Sequence, residues 1–83
     1  MKAVYFAWIG ERIGKAEEEL ALSAENSIVA ELIGWLTRQG GAYAYAFEKA
    51  VVVRAAIDRR HVRYDAPIGD VREIAFFAPM TGG

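Results

Sequence analysis

Eighty-three residues, 54% of them hydrophobic, suffice for one small domain with its own core and are too apolar for a disordered segment. Ten basic against eleven acidic residues leave a net charge of −1, which excludes a general nucleic-acid binder, because such a protein needs a basic surface to displace phosphate counterions. Cysteine is absent, which excludes disulfides, thiolate nucleophiles and cysteine-based metal sites, and the apolar run from Ala3 to Ile9 is too short to cross a bilayer, so a cytoplasmic protein with no membrane partner is expected.

Residues 2–9, KAVYFAWI, are rich in β-branched and aromatic types and predict a central strand. Val4, Phe6 and Trp8 fall on one face and Ala3, Tyr5, Ala7 and Ile9 on the other. Gly10 and Gly14 bracket a predicted turn, GERIG. Residues 17–22, EEELAL, predict a more exposed strand whose acidic residues blunt a sheet edge, hairpinned to the first. Side chains alternate faces on a strand, so Glu17, Glu18 and Glu19 do not converge on a metal.

Val29, Leu32, Ile33 and Leu36 recur at i, i+3, i+4, i+7 and predict the main helix. Asn26 or Ser27 supplies the N-cap, Arg38 sits in the last turn, and Gly40 or Gly41 supplies the stop. Residues 42–50, AYAYAFEKA, are ambiguous: Tyr43, Tyr45 and Phe47 alternate as in a strand, but the alanines also allow a short helical turn, and the turn is expected. Residues 51–57, VVVRAAI, form a strand, Asp58-Arg59-Arg60 turn it, and residues 61–64 return antiparallel. Residues 65–70, DAPIGD, are a loop, and residues 73–78, EIAFFA, form the last strand. This order makes an α+β domain, one sheet with one main helix across it.

Catalytic chemistry finds little support. His61, the one histidine, has no partner at ligand spacing and reads as a surface strand residue. Gly40-Gly41 belongs to no phosphate-loop pattern. Arg54, Arg59, Arg60 and Arg63 cluster on the hairpin and could receive an acidic partner, although a dispersed soluble surface explains them equally. The last eight residues, FFAPMTGG, break the strand pattern after Phe77. Gly82 and Gly83 carry no side chain and fit a channel too narrow for any other residue. Six residues reach up to roughly 20 Å, and such a tail can present a terminal carboxylate to another protein's active site.

The sequence resembles the small, sulfur-carrier subunits of molybdopterin synthase, a ubiquitin-like β-grasp family. The likeness is strongest in EIAFFAPMTGG (residues 73–83) and continues in VAELIGWL (29–36), AVYFA (3–7) and YDAPIGD (64–70). The chain departs from the family pattern at Gly10, where Arg is common, at Ile28 and Val71, and at Ala78 and Met80, where Pro and Val are common. The resemblance implies a β-grasp fold: a mixed sheet of about five strands with one main helix packed across it. It implies that residues 1–83 are one carrier domain with a flexible tail over 78–83. It also implies that an adenylating enzyme activates the Gly83 carboxylate with ATP, and that a sulfur-donor protein converts it to a thiocarboxylate. The tail, ending in Gly82 and Gly83, then enters the large synthase subunit and delivers sulfur to a pterin precursor. The chain itself binds no cofactor or metal and is no enzyme alone. Phe77, pointing opposite to the core residue Phe76, is the expected interface anchor, with Pro79, Met80 and Thr81 beside it. Two alternatives share the activation step: a ubiquitin-like modifier conjugated to lysines through Gly83, and a sulfur carrier for another product such as thiazole.

Overall fold

The first strand, β1 (Lys2–Tyr5), is shorter than the eight-residue run that suggested it. In this computed structural model, which describes residues 1–21, 27–49 and 52–78, the chain leaves β1 through Phe6 and enters a helix, α1 (Ala7–Ile13). The expected strand over 2–9 and the expected turn over 10–14 are therefore corrected. Ala7 takes a positive φ of 51°, which redirects the backbone, and Ile9 and Ile13 then bury one helical face at i, i+4 spacing. Gly10 is not a turn residue. A Cβ there would lie 2.6 Å from the Tyr5 carbonyl oxygen, so glycine is what lets α1 lie against the end of β1. Gly14, at φ 89°, is the left-handed C-cap, and its N–H donates to the Gly10 carbonyl. Gly10→Ala is expected to cost about 1–3 kcal/mol, because the clash is with backbone that cannot rotate away; chemical denaturation measures it.

Strand β2 (Glu17–Glu19) pairs antiparallel with β1, as expected of a hairpin, but α1 fills the connection. It is an edge strand and stops at Glu19; of the expected extension to Leu22, Leu20 is buried and Leu22 lies outside the described residues. Helix α2 (Val29–Thr37) buries Val29, Leu32, Ile33 and Leu36, the predicted stripe. Its cap differs from expectation. Ile28 holds the N-cap position without a side-chain bond; Asn26 lies outside the described residues; and Ser27 donates its N–H and hydroxyl to Glu31 Oε1, both at 2.8 Å. The open amides of the first turn are met from far along the chain. Val29 N donates to the Ala66 carbonyl at 3.1 Å and Ala30 N to that of Tyr64 at 2.8 Å. The loop predicted over 65–70, together with Tyr64 just ahead of it, thus serves as the cap, and Ile68 of that loop is buried.

Arg38 is the C-cap of α2 rather than part of its last turn. Gly40 is the N-cap of α3 (Gly41–Ala46), the short helix expected near Tyr43 and Tyr45. Arg12 ties α3 to α1: its guanidinium lies 4.0 Å from the centre of the Tyr45 ring and 4.7 Å from that of Trp8, and it donates to the Tyr45 carbonyl at 3.0 Å.

Strand β3 (Arg54–Ile57) begins three residues later than expected; Val53 is buried ahead of it, and Val51 lies outside the described residues. Strand β4 (Arg60–Val62) starts and ends earlier than expected, because the hairpin loop is only Asp58-Arg59. Both loop residues have positive φ, 48° and 72°, the type I′ geometry whose twist matches paired strands. Strand β5 (Glu73–Phe77) pairs parallel with β1 and antiparallel with β3, giving the order β2-β1-β5-β3-β4. Its even residues, Ile74 and Phe76, face the helices and are fully buried. Phe76 stacks on Tyr5 at 6.1 Å and meets Phe47 edge-on at 5.4 Å.

Glu18 departs from the expectation of a wholly solvated acidic edge. It pairs with Ala3 on the helix side of the sheet, and its carboxylate accepts from Tyr5 Oη and Tyr43 Oη, each at 2.7 Å, and from Lys15 Nζ at 3.1 Å. Burial pushes the Glu18 carboxyl up, but the donors outweigh it and hold it below the usual carboxylate range. Burial and then the Glu18 carboxylate push both tyrosines up, so they stay protonated donors. A carboxyl whose pKa falls on folding contributes its stability above the unfolded value, about 4.3, and loses it as pH falls through the folded value. Glu18→Ala leaves the buried Tyr5 hydroxyl without its acceptor and is expected to cost roughly 2 kcal/mol at neutral pH. The difference from the wild type should shrink below about pH 4, as urea melts across pH would record.

Candidate functional site

The sheet has two unlike faces. One packs on the helices; the other carries the odd residues of β5 and the even residues of β1, and no described element covers it. Val4, Ala75, Ala56 and His61 form one cross-strand row on this outer face. Phe6 and Phe77 stand beside it, and the His61 ring stacks on Phe77 at 5.0 Å. Phe6 is 50% exposed. Val4, Ala56, Ala75, Phe6, Phe77 and Ala78 border a shallow depression of about 710 Å³. Its β2 side is charged but internally paired: Lys2 Nζ lies 2.7 Å from Glu17 and 4.0 Å from Glu73, and the Met1 ammonium lies 2.9 Å from Glu19.

Phe77 is the last residue of β5, on the outer face, at the point where the chain leaves the sheet toward Gly83. Parity placed it there, and placed Val4 and Phe6 on a common face; Trp8, grouped with them in sequence, belongs to α1 instead. Pro79, Met80, Thr81, Gly82 and Gly83 lie outside the described residues. The roles of Ala56, Ala75 and His61 in this surface were not foreseen, although the alternation of β3 and β4 carries the signal. His61 is exposed, as expected, but stacked. Of the four arginines grouped on the hairpin, Arg54 and Arg63 line one recess and Arg59 borders the outer depression. Arg60 pairs with Ile57, on the helix side of the sheet.

No cluster of His, Asp or Glu able to hold a metal occurs among the described residues, and no helix among them is long and apolar enough to cross a membrane. What the arrangement offers chemically is presentation: an apolar face next to the strand that leads into the tail.

The sequence pattern of the ThiS family matches residues 3–83. The chain belongs to the ThiS family. It is also 34% identical over 83 residues to the molybdopterin synthase sulfur carrier subunit of Escherichia coli strain K12, covering 100% of this chain and 99% of that one. Two solved structures share its shape. SAMP1 from Haloferax volcanii superposes with a TM-score of 0.74 at 20% identity, covering 100% of this chain and 98% of that one. A protein designated a candidate molybdopterin converting factor, subunit 1, from Pyrococcus furiosus gives 0.74 at 24% identity over 95% of each. At those identities the likeness establishes the fold, the ubiquitin-like β-grasp expected from the sequence. This ThiS-family chain has the expected mixed five-stranded sheet, with α1 as a helix that the sequence did not reveal.

Proposed function

We propose that this ThiS-family protein is the sulfur carrier of a molybdopterin synthase, a non-catalytic subunit that docks on a large catalytic one. The observation that carries the reading is the full-length 34% match to a sulfur carrier subunit. The outer face supports it, because an apolar surface at the root of the tail is what a partner must grip to draw the tail inward.

The chemistry follows from the tail. A carboxylate resists nucleophilic attack because its own charge repels the nucleophile and oxide is a poor leaving group. An adenylating enzyme joins the Gly83 carboxylate to the α-phosphorus of ATP and releases pyrophosphate. Sulfide delivered by a donor protein then attacks the acyl carbon, and AMP leaves with the bonding pair. The product is a thiocarboxylate, with sulfur in place of one oxygen. In the large subunit that sulfur attacks a carbon of the pterin precursor and displaces an oxygen substituent there, and water attack on the resulting thioester breaks the acyl carbon–sulfur bond and returns Gly83 to the carboxylate. The chain has no thiol of its own, so its terminus is where it can hold transferable sulfur. Phe77 anchors the docked complex, with Pro79, Met80 and Thr81 as the neighbouring contacts, and ATP belongs to the activating enzyme.

Intact-mass measurement on protein coexpressed with its activating enzyme tests the reading. A fraction heavier by the difference between sulfur and oxygen, lost when Gly83 is deleted, is the expected result. Absence of that species while the activating enzyme still binds refutes the thiocarboxylate. Glycine remnants on lysines in a proteolytic digest would instead identify a protein modifier.

A further inference from the structure

The outer face is electrically lopsided. On its β2 side every acid is met within the chain: Lys2 lies against Glu17 and Glu73, and the Met1 ammonium against Glu19. On its β4 side Arg59 borders the apolar depression, and Arg54, the strand partner of Phe77, brackets with Arg63 a separate neighbouring recess of about 590 Å³ that also holds Val62, Tyr64 and Asp65. Arg54 donates to Tyr64 Oη at 3.3 Å. Among the described residues no ion pair engages Arg59 or Arg63. His61 stands on the same face, stacked on Phe77.

A partner that covers Phe77 therefore also covers Arg59, and past Arg54, the strand partner of Phe77, it reaches Arg63; neither Arg59 nor Arg63 meets a carboxylate among the described residues. Taking these guanidinium groups out of water is costly unless the partner supplies acceptors, and a carboxylate matches the planar fork of arginine in both charge and shape. We infer that the large subunit docking on this face presents carboxylates to Arg59 and Arg63, so that an acidic rim meets the β3–β4 hairpin while apolar side chains meet Phe6 and Phe77. The inference rests on the carrier reading above. A chain of net charge −1 has no general pull on an acidic protein, so the attraction is local and sets orientation on the face.

Arg60 supplies the control, since it lies on the same hairpin but shares the face of Ile57. Binding of the large synthase subunit from the same organism is measured by calorimetry at two salt concentrations for the wild type, R59E/R63E and R60E. Melting curves confirm that each variant is folded. The expected result is a Kd raised at least about tenfold in R59E/R63E with a flattened salt dependence, and a change under about threefold in R60E. Equal weakening by R60E would reduce the effect to net charge and overturn the inference. An unchanged Kd in R59E/R63E, with the wild-type complex intact, would overturn it as well. Failure of the wild-type pair to associate at all would instead sink the carrier reading and this inference with it.

Discussion

Gly82→Ala is expected to lower the rate of sulfur transfer by about 100-fold while leaving the melting temperature unchanged, because about 1 Å of misplacement at a reacting centre is enough for that loss. The expectation rests on the carrier reading: the described core runs to Phe76 and the β5 ladder to Phe77, and that reading gives position 82 its role inside a partner. On the proposed carrier mechanism the effect of the added methyl falls on the fit of the tail within a partner, where the sulfur on Gly83 has to reach the pterin precursor. Binding should weaken far less than turnover, since the outer face with Phe6 and Phe77 is untouched. Single-turnover transfer from preformed thiocarboxylate, run beside a thermal melt, separates the two. A melting temperature that falls in step with the rate would place Gly82 in the fold and remove the narrow-channel argument.

Sequence periodicity exposed the parts of the molecule whose partners lie close in the chain. The α2 stripe repeats within nine residues, and the alternation of β5 assigns Phe76 and Phe77 to opposite faces without reference to anything else. Helix α1 stayed hidden because KAVYFAWI is apolar at both parities, and because the break after β1 is made by an alanine in a conformation that favours glycine. Its buried pair, Ile9 and Ile13, was masked by two glycines that resemble a turn. The cap of α2 and the acceptor role of Glu18 were equally invisible. Each depends on a group at least twenty-five residues away, Tyr64 and Ala66 for the helix and Tyr43 for the carboxylate. No local pattern signals such a pairing. The proposed carrier chemistry is suggested only by the family likeness, since two terminal glycines carry no periodicity.

Phe76 and Phe77 are adjacent, chemically identical and expected to fail in opposite ways. Phe76 is fully buried between Tyr5 and Phe47 on β5, the strand hydrogen-bonded on both sides at the middle of the sheet. Truncating a buried Phe to Ala costs about 3–5 kcal/mol, through lost transfer energy and the cavity left behind. A domain of this size holds only roughly 4–12 kcal/mol in total, so Phe76→Ala should lower the melting temperature by more than about 15 °C and leave some of the chain unfolded at ambient temperature. Phe77→Ala removes an exposed-side ring and its stack on His61, worth about 0.5–1.5 kcal/mol, so the fold survives with a small loss. Its larger effect should be on association with the large subunit, where loss of an aromatic anchor costs about 2 kcal/mol or more, roughly 30-fold in Kd. Denaturation and binding measured on both variants give the comparison. If Phe77→Ala destabilises as much as Phe76→Ala, the outer face belongs to the core of some larger assembly and the ring is no free anchor. If neither variant changes binding beyond its effect on the folded fraction, the partner grips the carrier elsewhere, and the depression beside Phe77 loses its assigned role.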